Sequence, residues 1–315
     1  MSQIEDTTVG VDDTTIVGAR QAPEPTPTEA ADAAAPTVVE PRRPRPLQRL
    51  TTYGALVPAL LFLLLALVGP WITPWSPTQA VAGPHIKPGG SHWFGTDSSG
   101  LDIFSRVLAA ARNDIQIALT TAVIATVVGI SLGLLIGMNE SKGRLLGPLA
   151  RFMARALDLM QAIPTVVIGL VLVAFFGASV RTLIISLAVI LFPIQARLVR
   201  TEVLRVRSEA YLDAARMAGE SEFRLTVRHV LPNSSWPALE NSTVLFSVAI
   251  LITSALGFLG VGLQPPTPEW GSMIAGGASD AAVGRWWSGL FPALAMTLCV
   301  VAYSNAGHRL IGRRH

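Results

Sequence analysis

Charge divides this chain into blocks. Six windows carry no Asp, Glu, Lys or Arg, and each is dominated by apolar residues. The first covers 50–84, with its apolar heart at 53–71. The others lie between Asp114 and Glu140, Asp158 and Arg181, Arg181 and Arg197, Glu240 and Glu269, and Arg285 and Arg309. A helix needs about 20 apolar residues to cross roughly 30 Å of hydrocarbon. Five windows meet that length. The fourth holds 15 charge-free residues and spans only if Arg181 and Arg197 reach toward the headgroups. The pattern predicts an all-α membrane protein with six transmembrane helices.

The bases set the expected orientation. Arg42, Arg43, Arg45 and Arg49 precede the first window. Lys142, Arg144, Arg151 and Arg155 follow the second. Arg197, Arg200, Arg205, Arg207, Arg216, Arg224 and Arg228 follow the fourth, and Arg309, Arg313 and Arg314 follow the last. These 18 bases face the five in the intervening segments, Lys87, Arg106, Arg112, Arg181 and Arg285. The positive-inside rule then places both termini in the cytoplasm. It also places the long segment 72–114 outside and the long segment 197–239 inside.

The inner segment reads as helical. Residues 208–218 are good helix formers, Gly219 can end a helix, and Ser221 with Glu222 can start another that stops at Leu231-Pro232. In the outer segment, 95–112 mixes Asp97, Asp102, Arg106 and Arg112 with Leu101, Ile103, Phe104, Val107 and Leu108. It is expected outside, partly along the membrane surface. Residues 1–46 are a different material: eight acids and one base up to Glu40, with few bulky apolar residues. Such a tail cannot offset its ordering entropy and is expected to be disordered. Its apolar run starts too deep for a signal peptide.

Composition agrees with the windows. Half of the 315 residues are hydrophobic, 14% are charged, and the mean hydropathy is +0.49. The net charge of +3 does not point to nucleic acid, because the arginines flank apolar segments. Cys299 is the one cysteine and lies in an apolar run, so a small buried hydrophobe is expected. No Gly-x-x-x-x-Gly-Lys-Ser/Thr loop exists, since the only lysines are Lys87 and Lys142. His85, His92, His229, His308 and His315 show no metal-ligand spacing. The Asn-x-Ser/Thr triplets at Asn139, Asn233 and Asn241 fall on the inner side and read as chance. Asp158, Glu240, Arg181 and Arg285 are expected at helix ends. The lack of acids at depth weighs against a secondary active transporter, the main alternative. Gly129, Gly133 and Gly137 recur every four residues and let a neighbouring helix approach, within the chain or from another subunit. Pro58, Pro164 and Pro193 interrupt apolar helices and need rescue by neighbours or a water-lined path.

The inner segment carries a motif. Glu209-Ala210-Tyr211-Leu212-Asp213-Ala214-Ala215-Arg216-Met217-Ala218-Gly219, followed by Arg228-His229-Val230-Leu231-Pro232-Asn233, resembles the EAA loop of ABC importer permeases. Asp213 stands where that family usually has Glu. Three further stretches are similar to the C-type permease of oligopeptide, dipeptide and nickel importers. They are His92-Trp93-Phe94-Gly95-Thr96-Asp97 with Gly100, Asp102, Ser105, Arg106, Ala111 and Arg112; 259–271, from Leu259-Gly260 through Gln264-Pro265-Pro266 to Trp270-Gly271; and Leu290-Phe291-Pro292-Ala293-Leu294. The similarity covers about 50–310, and the chain departs from it where Gly307-His308 replaces the usual Gly-Asp.

The resemblance implies a type I importer permease fold, with domains at 1–46 (tail), 47–114 (first helix and outer loop) and 115–311 (core). It implies import of peptides or related small solutes across the bacterial cytoplasmic membrane. The coupling loop would be 197–235, carried by Glu209, Asp213, Ala214, Ala215, Gly219, Leu231 and Pro232, with Gly129, Gly133 and Gly137 for helix packing. The implied partners are a B-type permease, two ATPase subunits or one fused ATPase, an extracytoplasmic solute-binding protein and the lipid bilayer, with no nucleic acid. ATP and Mg would sit in the ATPases; this chain would hold no cofactor, metal or catalytic residue.

Overall fold

A computed structural model describes residues 46–141 and 143–311. All described residues fall in one compact unit. The expected disordered tail lies outside the described residues, apart from its last position.

The helices are α1 (Pro46–Ile72), α2 (Ile103–Asn139), α3 (Leu146–Met160), α4 (Thr165–Phe176), α5 (Val180–Arg207), α6 (Ala210–Met217), α7 (Glu222–Leu225), α8 (Leu231–Phe258), α9 (Trp270–Ala281) and α10 (Trp287–Ile311). Among the described residues there is no strand, only two isolated bridges in the loop before α2. Four segments are long and apolar enough to cross a membrane alone: α2, α5, the run Glu222–Phe258, and α10 from Trp287 to Gly307. The apolar part of α1, Leu56–Ile72, is shorter.

The third window departs from a single span. It forms α3 and α4, bent by 90°. Pro164 stands at the break and N-caps α4. Proline lacks the N–H that a continuous helix needs and pushes Ile163 out of the α region. The fourth window is an unbroken helix of 28 residues, about 42 Å long, with Arg181 in its first turn. Window five ends early, at Phe258, and its remainder forms a loop leading to α9, a short helix that the charge pattern does not announce.

α2 also begins before its window, at Asp102. That side chain accepts from the Ser105 amide (2.8 Å) and hydroxyl (2.8 Å), and its other oxygen meets His92 Nδ1 at 2.8 Å. Arg106, Arg112 and Asp114 are therefore inside the helix. The surface-lying reading of 95–112 gives way to a packed one: Leu101, Ile103 and Val107 are buried. Arg106 donates to the carbonyls of Pro77 and Pro266, which fixes α2 to the loops before it and before α9.

Parallel helices α2 and α5 form the centre. A Cβ at Gly133 would fall 2.7 Å from Val199 Cβ, and one at Gly137 2.7 Å from Val203 Cγ1. Gly129 meets Gln195 in the same way. The glycine stripe is thus filled by α5 of the same chain. Beside it, fully buried Gln195 donates to Thr126 Oγ1 (3.0 Å) and the Ala238 carbonyl (2.9 Å) and accepts from Asn241 (3.1 Å). One amide thus ties α2, α5 and α8 together at depth, where unsatisfied polar atoms are costly.

Candidate functional site

The loop after α5 is built as a hinged pair on a small apolar core. Ser208 stops α5, its hydroxyl donating to the Arg205 carbonyl at 2.7 Å. Extended Glu209 then starts α6. Leu212 is fully buried among Val199, Val203, Val206, Leu225, Val230, Ala238 and Met138, with Ala215 against the same cluster. This core joins α6 to the ends of α2, α5 and α8.

Gly219 turns the chain out of α6 at φ +86°. The Glu220 amide donates to the Ala215 carbonyl and the Gly219 amide to that of Arg216, the two bonds of a Schellman cap. Ser221 then caps α7, accepting from the Arg224 amide. Arg216 bridges the corner, donating to Asp213 at 2.7 Å and Glu222 at 2.9 Å. Arg205 and Arg207 do not pair with Asp213: Arg205 meets Glu202 and Glu209, and Arg207 donates to the Gly137 carbonyl at the end of α2.

Leu231-Pro232 does not end the second helix. A five-residue π turn, Thr226–Val230, leads directly into α8. The Leu231 amide donates to the Thr226 carbonyl, five residues back, and Pro232 follows directly after this widened turn. The helical path from Glu222 to Phe258 is therefore continuous and about 55 Å long. The two motif halves touch: Asn233 donates to the Tyr211 hydroxyl at 3.2 Å, and the His229 ring lies 6.1 Å from the Tyr211 ring. A cavity of about 670 Å³ opens beside them, lined by Glu209, Tyr211, Pro232 and Trp236 among others.

Two site residues carry no assigned role in the sequence reading. Met217 is 84% exposed and Phe223 79% exposed. They flank Gly219, with Ala214 and Asp213 also exposed. The signal in the sequence is a lone aromatic among Glu220, Glu222 and Arg224. Elsewhere, Asp114 and Glu269 are fully buried. Asp114 accepts from the Trp270 amide at 3.0 Å, and Glu269 caps α9 through the amides of Gly271 and Ser272. Asp114 lies within α2 because that helix starts twelve residues before its charge-free window, and Glu240, expected at a helix end, lies well inside α8. Among the described residues no cluster of three or more His, Cys, Asp or Glu could hold a metal.

Residues 129–314 match the family of binding-protein-dependent transport system inner membrane components. The chain is 37% identical over 264 residues to the di/tripeptide transport system permease protein DppC of Pseudomonas aeruginosa, covering 82% of this chain and 85% of that one. It is 35% identical over 250 residues to the dipeptide transport system permease protein DppC of Alkalihalophilus pseudofirmus, covering 79% and 80%. Among solved structures, an inward-facing form of the MetNI methionine ABC transporter aligns with a TM-score of 0.55 at 16% identity, covering 66% of this chain and 95% of that one. The chain belongs to the binding-protein-dependent inner membrane transport family, as a permease subunit of an ABC importer with the type I fold.

Proposed function

We propose that this chain is the C-type half of a permease pair that imports di- and oligopeptides, with both termini in the cytoplasm. The peptide solute is supported by the activity in its relatives' names. A B-type permease would complete the pathway, cytoplasmic ATPases would bind beneath, and a solute-binding protein would deliver from outside. The chain supplies no catalytic group; ATP and Mg belong to the ATPases.

The observation that carries the coupling role is the exposed pair Met217 and Phe223 beside the capped corner at Gly219. Large apolar side chains at that exposure suit a protein groove. Leu212 ties α6 to the ends of α5 and α8, so a push on α6 acts on both. The continuous run Glu222–Phe258 is the lever that carries this push into the bilayer. Alternating access would follow from closure of the ATPases tilting that lever.

Met217→Ser with Phe223→Ser tests the contact. Truncating such anchors costs more than about 1 kcal/mol each at an interface. We expect normal insertion, an at least tenfold loss of dipeptide uptake, and loss of the ATPases on co-purification through the permease. Unchanged co-purification and uptake would refute the docking role.

A further inference from the structure

The three central helices share two separate apolar cores. The bundle core holds Ala125 of α2, Leu191 of α5 and Leu245 of α8. The corner core, behind Leu212, holds Met138 of α2, Val199 of α5 and Ala238 of α8. A smaller third cluster joins α3 to α5 at Ala196. Between the first two cores each helix contributes one polar side chain to a shared layer: Thr126 from α2, Gln195 from α5 and Asn241 from α8. The Gln195 amide joins all three. Its nitrogen donates to Thr126 Oγ1 and to the Ala238 carbonyl, and its oxygen accepts from Asn241. Apolar packing between the helices is thus interrupted at one level, and a single fully buried amide bridges the gap.

The helix backbones are weakened at the same level. Pro193 lies inside α5, two residues before Gln195, and Pro237 lies inside α8, one residue before Ala238. Each proline removes an intrahelical N–H and makes its turn a place where the helix bends. Apolar surfaces attract without direction and can slide on one another. The amide has three directed bonds, and a shift would orphan polar atoms inside the membrane. Nor can Gln195 retreat toward α2, because Gly129 lies against its Cβ with no room for a methyl group.

We propose that Gln195 is a positioning residue for transport. Its amide fixes the corner core to the bundle core, so that movement of α6 passes into the spanning parts of α5 and α8 instead of being absorbed at Pro193 and Pro237. This rests on the entry of the stroke at α6 proposed above.

The test uses the complete importer, permease pair with ATPases and binding protein, in proteoliposomes enclosing ATP. The readout is ATP hydrolysed per dipeptide imported, with melting temperature and ATPase co-purification beside it. Gln195→Met keeps the side-chain length and removes every polar atom. The ATPases should stay attached and the ratio should rise about fivefold. Thr126 and Asn241 then lack a partner, so stability falls as well. A second variant separates the two effects: Gln195→Met with Thr126→Val and Asn241→Leu makes the layer apolar throughout. Its melting temperature should return toward wild type, because those polar atoms are gone, while the ratio stays raised. A wild-type ratio in either variant overturns the proposal. Failure of the all-apolar variant to assemble assigns the amide to stability alone and overturns it too. The readings beneath it fail differently: no dipeptide import by the wild type fails the solute, and unchanged ATPase attachment and uptake in Met217→Ser with Phe223→Ser fails the entry of the stroke at α6.

Discussion

At the scale of single residues, the corner at Gly219 and the pair beside it predict opposite outcomes. A Cβ on Gly219 would meet no atom within 4 Å, so the cost of a side chain there is conformational alone. At φ +86° a β-branched residue loses about 1–2 kcal/mol, while Asn tolerates the left-handed region. Gly219→Val should therefore lose at least tenfold in uptake while inserting normally, and Gly219→Asn should retain most of it. Equal loss in both would show that space, not backbone, is limiting. Asp213 is a weaker case. Its side chain is 70% exposed and its partner Arg216 keeps Glu222, so Asp213→Ala should change stability by no more than about 1 kcal/mol and leave uptake near wild type. Glu140 behaves differently. Its hydrogen bonds from Arg200, at 2.7 and 2.9 Å, hold its carboxyl below the ordinary range. A group depressed on folding stabilises above its unfolded value and loses that contribution as pH falls through the folded one. The thermal stability advantage of wild type over Glu140→Gln should be present at pH 7 and shrink in acid below the ordinary carboxylate range. An advantage that persists unchanged into acid would assign it to packing.

At the scale of elements, two glycines on different helices separate packing from propensity. Gly133 sits against α5 with no room for a methyl group, whereas Gly276 on α9 has nothing within 4 Å of its missing Cβ. Gly133→Val should lower the complex's melting temperature by an overpacking cost of about 1–3 kcal/mol. Gly276→Ala should be neutral or stabilise by up to about 1 kcal/mol. A melting curve on each variant checks both, and a tolerated Gly133→Val would mean that α2 and α5 separate readily. The same contrast explains what was legible in the sequence. The small-residue period of α2 showed a close helix neighbour, but a period on one helix does not name its partner; that needed Val199 and Val203 in space. Charge-free windows located the apolar segments because desolvating charge dominates in lipid. They misjudged ends wherever a buried charge has local partners, as Asp114 has in the Trp270 amide and Arg106 in two carbonyls. Pro164 stands at the 90° break between α3 and α4, whereas Pro232 follows the π turn 226–230 inside a continuous helical path. The motif at 209–233 was readable from spacing; its exposed anchors were not, since exposure depends on which face of α6 the core behind Leu212 takes.

At the scale of the whole molecule, the orientation rests on the bias of 18 bases to five, and the role of the tail on its composition; each has its own test. The acidic residues before Pro41 contribute no apolar mass, so deleting 2–40 should leave uptake within about twofold of wild type provided insertion is normal. Side selectivity is tested with cysteine. Cys299 is fully buried, so it contributes little background reactivity. Ser98 is exposed in the loop between α1 and α2, and Phe223 is exposed in the loop between α5 and α8. One crossing by α2, one by the bent pair α3–α4 and one by α5 separate them, an odd number that puts them on opposite sides. A membrane-impermeant maleimide added to intact cells should therefore label Ser98→Cys and leave Phe223→Cys unlabelled until the membrane is permeabilised. The reverse pattern would invert the orientation. Labelling of both from outside would mean that the 90° break makes α3 and α4 a re-entrant loop rather than a crossing, leaving two spans between the probes. That outcome would change the number of spans, and with it the side on which α6 waits for a partner.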